Sequence, residues 1–497
     1  MAITKKYTLA ATAILFAVTA IGQINKQDSL HFTQDGRCIN YFELTNNAAT
    51  IALTALAQHG FASVQLNNSS GDFRRPMEAE VSNKINIATG GFKKLNGWAY
   101  KTNFTYTKQY DKKIAWSGVA NPYEGNPFIW ADSSTGNWER DHINATVSVA
   151  APIVFRKLLT GLTLDYQIGT GARLSEPKPF YRQRNFALQP GINWIMSPKK
   201  SFGIVGKFNF IQEENELGFF SNANVLLYRL RGYGTFSKAP FVNGERKRKG
   251  TDLQATAHYK DQIGKYQFLV SAYAAQRDEE INEGVAIQIP SGFFTEIKFG
   301  GSAILQNGNT AKGKSILINY QLKNGYADDV IFRAESASYN EHLLQANMSV
   351  WHTSNAQKTL LQFTLTPQYK FIDNTDQATH TQLTASTIGG NFKFNCRKQL
   401  KQNIHLQLQP FVGYYHVVNS EFINQRPNVI TKNIVLPDYQ FFGTDYAHFG
   451  ALAMLEISQR SKNLVHSCSL KTDNTLAANN KNFGGRNNFQ FNYSILF

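Results

Sequence analysis

Very little in this sequence can support metal or redox chemistry. Its 497 residues include three cysteines. These are Cys38, Cys396 and Cys468, far apart and without the CxxC or His-adjacent spacing of a zinc or redox centre. No disulfide framework is implied. Charge is scarce too, at 17% of residues against about 25% in an average globular domain. After the first two dozen residues no apolar run approaches the roughly 18 residues of a membrane-crossing helix. With a mean hydropathy of −0.34, a polytopic helical membrane protein is excluded. A membrane barrel is not, because its strands turn only half of their side chains to lipid. Catalytic signatures are missing as well: there is no GxSxG, HExxH or GxxxxGK[ST]. The 11 histidines are scattered, and Glu341-His342 is an isolated pair in a stretch read as an external loop. No enzyme, cofactor or metal site is read.

Aromatic residues are abundant. They make up 13% of the chain, led by 36 Phe and 22 Tyr, and 42% of residues are hydrophobic, so global disorder is excluded. The formal charge is +16, from 51 Lys and Arg against 35 Asp and Glu. Residues 1–22 read as a signal peptide: Lys5 and Lys6, then the apolar run from Leu9 to Ile21, then Ala20 and Gly22 as small residues at the exit. Its removal would take two of the sixteen charges, so basicity belongs to the mature chain.

From about residue 60 onward the pattern is roughly ten residues of apolar/polar alternation, then a turn. Leu361, Phe363, Leu365, Pro367, Tyr369 and Phe371 share one face; Gln362, Thr364, Thr366, Gln368 and Lys370 share the other. Leu162, Leu164, Tyr166 and Ile168 lie opposite Gly161, Thr163, Asp165 and Gln167 in the same way. Period-2 alternation with a polar second face is the mark of a strand wetted on one side. Short turns alternate with longer polar connections, read near 111–140, 172–183, 214–249, 277–293, 324–343, 418–442 and 476–484. The expected fold is all-β, a transmembrane antiparallel up-and-down β-barrel of about 18 strands, or 16, with short periplasmic turns and long extracellular loops. Residues 23–57 are expected to form an N-terminal periplasmic or lumen-plugging segment, and 58–497 the barrel. The segment 225–236 is placed in an external loop. Trp98, Tyr110, Trp194 and Tyr259 are expected in the interfacial aromatic girdles.

The last strand carries the most specific signal. Phe489, Phe491, Tyr493, Ile495 and Phe497 occupy alternate positions, ending on an aromatic residue. This resembles the C-terminal signature of Gram-negative outer-membrane proteins, which implies the outer membrane as location and the barrel assembly machinery as partner. The overall layout resembles uncharacterised outer-membrane β-barrel proteins, of domain-of-unknown-function type, from Bacteroidota-like bacteria. Asn46-Asn47-Ala48-Ala49 and Leu230-Arg231-Gly232-Tyr233-Gly234 look like local features of that group. The layout is also loosely similar to fatty-acid-type transport barrels, whose N-terminal segment plugs the lumen. A TonB-dependent receptor is disfavoured, since the lead-in is too short for a globular plug domain and the remainder too short for about 22 strands.

Glu80, Lys84, Lys101, Asp165, Lys207, Lys265, Glu296 and Lys298 fall on the polar faces and are candidate lumen residues. Their mixed signs suit a water-filled or internally paired interior. Arg246-Lys247-Arg248-Lys249 is read as an exposed loop run that contacts lipopolysaccharide phosphates or attracts anionic ligands; an exported barrel gives it no nucleic acid to bind. Two functions stay open. One is a channel or transporter for a small solute. The other is a closed-lumen scaffold or surface-interaction barrel with an envelope protein partner.

Overall fold

A computed structural model describes residues 41–54, 58–217, 226–240, 244–284, 287–309, 311–354, 358–459, 463–480 and 483–497. The expected signal peptide and residues 23–40 and 55–57 of the N-terminal segment lie outside the described residues. The chain begins with helix α1 (Tyr41–Thr45) and a 3₁₀ turn (Ala48–Leu53). Then come β1 (Gln58–Gly71), β2 (Val81–Leu95), β3 (Trp98–Ile114), β4 (Trp130–Ala131), β5 (Gly136–Ala150), β6 (Leu158–Arg173), β7 (Phe180–Ser197) and β8 (Lys200–Leu217). A hairpin, β9 (Leu226–Leu230) and β10 (Phe236–Pro240), precedes β11 (Gly244–Ile263), β12 (Tyr266–Gly284), β13 (Ile289–Gly308), β14 (Lys312–Asp329) and β15 (Ala334–Ser354). The chain ends with β16 (Thr359–Asp376), β17 (Thr381–Lys401), β18 (Ile404–Asn424), a π turn (Thr431–Val435), α2 (Leu436–Phe442), β19 (Tyr446–Gln459), β20 (Leu464–Ala477) and β21 (Gly485–Leu496).

Eighteen of these strands form one sheet in which each is antiparallel to its neighbours in sequence, and β1 pairs with both β2 and β21, so the sheet closes. Closure leaves no free edge. The remaining strands, β4, β9 and β10, form a separate three-stranded sheet. The described part of the stretch 225–236, from residue 226 on, therefore belongs to a connection, as expected, but folds there as part of a hairpin.

The alternation appears directly as exposure. Phe363 and Leu365 are 47% and 48% exposed, while Gln362 and Thr366 are 7% and 6% exposed. Outward Leu, Ile, Val, Phe and Tyr on a closed barrel are stable in hydrocarbon, where every backbone group is already paired around the sheet. The protein is an outer-membrane β-barrel. Trp98 and Trp194 stand exposed near the short turns and Tyr110 near the opposite rim, which suits interfacial rings.

Several strands reach 20 or 21 residues. At about 3.3 Å per residue and a tilt of about 40° that is roughly 50 Å of height, well beyond an apolar band of about 25 Å. The excess rises above the membrane, largely polar on both faces, with the inner face covered by packed connections and no apolar side to give it away. Hence the loops read at 277–293 and 324–343 are corrected to short connections at 285–288 and 330–333. Glu341 and His342 lie on β15, on opposite faces: Glu341 pairs with Lys323 at 2.9 Å, while His342 meets Tyr320 at 3.0 Å on the exposed side.

The periplasmic turns are tight. Asn96 and Gly97 have φ of 49° and 83°, the two positive values of a type I′ hairpin. This end is also basic. Lys93, Lys94, Arg156, Lys157, Lys199, Lys200, Lys265, Lys312, Lys314, Lys358, Lys398 and Lys401 are exposed in or beside the short turns. Among the described residues the acidic groups here are Asp261 and Glu456, both buried, bound to Lys200 at 3.3 Å and Arg397 at 2.5 Å.

Candidate functional site

The N-terminal segment enters the lumen from the short-turn end. Asn47 caps the 3₁₀ turn by accepting from the Ala49 N–H at 3.0 Å, and its amide donates to the Ile192 carbonyl at 2.9 Å. The wall is thinned to receive it. A Cβ on Gly191 would lie 2.2 Å from Asn47 Oδ1, and one on Gly161 would lie 2.3 Å from the Ala49 nitrogen. Tyr41 completes the latch, 2.7 Å from Ser201 Oγ and bonded to Asn193 at 3.2 Å. Ala48, Ile51, Phe92, Ala99 and Ala150 seal the contact as an apolar cluster. Lys94 donates to the Ala52 carbonyl at 2.9 Å from outside the plug.

The outer mouth carries a lid. Met77, Val119, Ile129, Tyr228, Leu230, Ile430 and Ile434 come from four different connections and pack into one buried cluster. Each such side chain contributes about 1.5–3 kcal/mol of burial. Polar pins hold the lid to the wall. Buried Arg231 reaches Glu283 of β12 at 3.0 Å and Asp329 of β14 at 3.2 Å. The Asp376 carboxylate accepts from the Gly234 and Thr235 N–H groups, both at 2.8 Å, and from the Thr235 hydroxyl at 2.6 Å. A Cβ on Gly232 would lie 2.2 Å from Asp376 Oδ2. Burial pushes the Tyr233 phenol far above its ordinary range, so it stays neutral and donates to the Gly125 carbonyl at 3.3 Å.

The basic run sits in β11, not in a loop, which corrects the expectation. Its alternation sends Arg246 and Arg248 inward, 2% and 4% exposed, and Lys247 and Lys249 outward. Arg248 binds Glu279 at 2.6 Å, Glu213 at 3.2 Å and Glu124 at 2.9 Å, while Arg246 donates to the Phe128 carbonyl at 2.7 Å. The two arginines fasten the 115–135 connection to the inner wall. Four basic residues in a row read as a solvated patch only while the strand boundary is unknown.

Between plug and lid two cavities are stacked; both border β21, β1–β3 and β5, and the lower one continues round the wall through β6–β8 to β11. The lower, of about 770 Å³, lies against Phe42 and Ile51 of the plug and is bordered by Ser63, Asn103, Asn492 and Ser494. The upper, of about 730 Å³, is bordered by Asn67, Gln109, Asn488 and Gln490. Asn492 and Gln490 are successive inward residues of β21, so the cavities adjoin. The side chains of Asn103, Asn488, Gln490 and Asn492 make no hydrogen bond to protein among the described residues. Charge is balanced in each cavity: Lys101 and Lys207 against Glu43 and Asp165 below, and Lys84, Arg140, Lys471 and Arg486 against Glu78, Asp111, Glu124 and Asp473 above. The opposite wall, facing a third cavity of about 440 Å³, is occupied by mutual ion pairs such as Lys298–Glu296 at 2.6 Å and Arg277–Glu296 at 3.4 Å.

Of the expected lumen residues, Lys101, Asp165 and Lys207 border the lower cavity, Lys84 the upper, and Glu296 and Lys298 the third. Glu80 and Lys265 do not line the lumen. Glu80 precedes β2 and binds exposed Lys113 at 2.9 Å; Lys265 occupies the turn between β11 and β12. Both lie at strand ends, where face assignment by alternation stops working. On β21, Phe489 and Tyr493 face outward with Phe491 and Ile495 in phase. Phe497 exchanges backbone bonds with Gly60 at 2.6 and 2.9 Å at the seam. Asn47, Gly191, Arg231 and Asp376 were not foreseen as functional, although both quoted local motifs contain one of them. Cys396 and Cys468 are free thiols, and among the described residues no His, Cys, Asp and Glu group could hold a metal ion.

A closed eighteen-stranded barrel, with residues 41–54 packed against its inner wall at one end and the long connections packed together at the other, defines the class: an outer-membrane β-barrel. The chain belongs to a family of unknown function, DUF6850, whose model matches residues 48–497. A comparison of the sequence with curated proteins gives no match. Among solved structures it is similar to "Copper transporter OprC", at 9% identity over 89% of this chain and 80% of that one, with a TM-score of 0.41. It is similar to the ferric citrate transporter FecA at 10% identity over 89% and 79%, with a TM-score of 0.39. For the ferric-catecholate import receptor Fiu from E. coli K12 the values are 9% identity, 88% and 81% coverage, and 0.40. The barrel assignment rests on its own strand pairing and lipid-facing belt.

Proposed function

We propose that this barrel is a gated outer-membrane transporter for a small, uncharged, hydrogen-bonding solute. One observation carries the reading: two adjoining lumen cavities with balanced charge, whose lining includes four amides, Asn103, Asn488, Gln490 and Asn492, that have no protein partner among the described residues. Asn and Gln both donate and accept, so they replace water around hydroxyl or amide groups without selecting a sign of charge. Cavities of this size fall within the range of about 300–1,000 Å³ typical of small-molecule sites. The closed-lumen scaffold is the second reading, favoured by the packed lid and by the ion pairs that fill the opposite wall. The test is uptake into proteoliposomes containing the full-length protein, using glucose, glucuronate, and glucosamine at pH 6, where its amine is protonated. Transport predicts entry of glucose at least tenfold faster than either charged analogue. Equal entry would overturn the solute class, and no entry of any sugar would favour the scaffold.

We also infer three environmental roles. Phe489, Phe491, Tyr493, Ile495 and Phe497 would serve as the signal to the assembly machinery. Lys247 and Lys249, outward on β11, are the members of the basic run still available to lipopolysaccharide phosphates. A Gram-negative envelope of Bacteroidota type is the inferred setting, supported by the two local motifs.

A further inference from the structure

We propose that the periplasmic rim of the barrel is a binding surface for the phosphate headgroups of anionic phospholipids in the inner leaflet of the outer membrane. The formal charge of the chain is +16. Twelve exposed lysines and arginines lie in or beside the described short turns, and the two acidic residues there are buried and already paired. The long connections do not share this bias. Their described residues hold nine basic groups, such as Arg75 and Arg231, against eight acidic ones, such as Asp132 and Asp438. The excess charge therefore collects at one end of the molecule, the end opposite the lipopolysaccharide leaflet.

Placement decides what the charge meets. The basic groups are distributed over seven turns around the circumference, not gathered on one side as a docking face for a single partner would be. Directly beside them stand outward apolar and aromatic residues: Trp98 at 42%, Phe155 at 91%, Trp194 at 51%, Ile263 at 69% and Leu400 at 51% exposed. Rings and aliphatic groups at that level reach the acyl boundary, and long basic side chains next to them snorkel to the headgroup layer. An annulus of phosphates encircling the barrel meets this arrangement on every side. Attraction of basic segments to an anionic leaflet is additive over residues and falls off within about a Debye length, so it is salt-sensitive.

The experiment is quenching of tryptophan fluorescence in full-length protein reconstituted into phosphatidylcholine bilayers, with brominated phosphatidylglycerol or brominated phosphatidylcholine added. Trp98 and Trp194 report the periplasmic interface. The proposal predicts that phosphatidylglycerol binds at least threefold more strongly, and that 1 M salt removes the preference. A variant carrying K93Q, R156Q, K157Q, K199Q, K312Q and K398Q should lose it as well. Lys94 and Lys200 are left intact because they hold the plug and Asp261. A second variant, with K112Q and R182Q near the outer rim, should retain the preference. No preference in the wild type, or a preference that survives the six rim substitutions, overturns the proposal. A rim that ignores phosphatidylglycerol yet retains an acidic envelope protein overturns it too.

Discussion

Asn47 Oδ1 occupies the space that a side chain on Gly191 would need, 2.2 Å from where its Cβ would lie. The plug is thus seated by a missing side chain in the wall together with its hydrogen bonds to Ile192 and Ser201. Gly191→Ala should push Asn47 off the Ile192 carbonyl and loosen residues 41–54 while leaving the barrel closed. Hydrogen–deuterium exchange should rise at least tenfold in 41–54 and stay unchanged in β13–β16. Asn47→Ala removes the 3₁₀ cap, a loss of about 1 kcal/mol, and should give a milder version of the same pattern.

At the other end, Arg248 compensates Glu213 and Glu279 together. Arg248→Met leaves the two buried carboxylates with only their longer contacts to a cation, Glu213 to Arg246 at 3.7 Å and Glu279 to Arg277 at 3.5 Å, a change of up to about 3–5 kcal/mol. The gel-shift temperature of the folded barrel should fall, and the 115–135 connection should become protease-sensitive. A stability equal to that of the wild type would show that the ion pairs are not the fastening of the lid.

The lid knot has its own test. Asp376 accepts five bonds from Gly234, Thr235 and Thr379. In Asp376→Asn one oxygen becomes a donor facing donors, at about 1–3 kcal/mol per unsatisfied group. Trypsin should then cut the β9–β10 hairpin after Arg229 or Arg231, where the wild type resists.

Asp445 ties the connection after α2 to β18, receiving the Val417 N–H at 2.7 Å and facing His416 at 3.0 Å. Burial pushes its carboxyl up, but these partners together outweigh burial and hold it below the usual value. A lowered folded value means that the stabilisation is present above the ordinary carboxylate pKa, about 3.9, and is lost as pH falls through the folded one. Protease resistance of the 425–445 connection should fall below about pH 4. Asp445→Asn should remove that acid limb.

The barrel was legible because lipid imposes period-2 alternation on every strand within the membrane. Phe363 and Gln362 could be assigned to opposite faces from spacing alone, and the closing strand from Phe489 to Phe497 likewise. Legibility ended where the membrane ends. Above it β12 and β15 continue with both faces polar, so Glu341 looked like loop, and Arg246 and Arg248 looked solvated although they are buried. Asn47 and Arg231 stood in motifs that carry a resemblance, but their partners Gly191 and Asp329 are 144 and 98 residues away, and no local pattern joins residues so distant. The excess charge was visible in composition, while its location required the turns to be assigned first.

Gating of the lumen by plug and lid is most directly tested by planar-bilayer conductance of the full-length protein beside a variant that lacks residues 41–54 and carries Asp376→Asn. The wild type should be closed for most of the recording, and the variant should show sustained steps of one size. A folded variant that gives no steps, and passes no glucose in liposomes, would contradict a transport lumen.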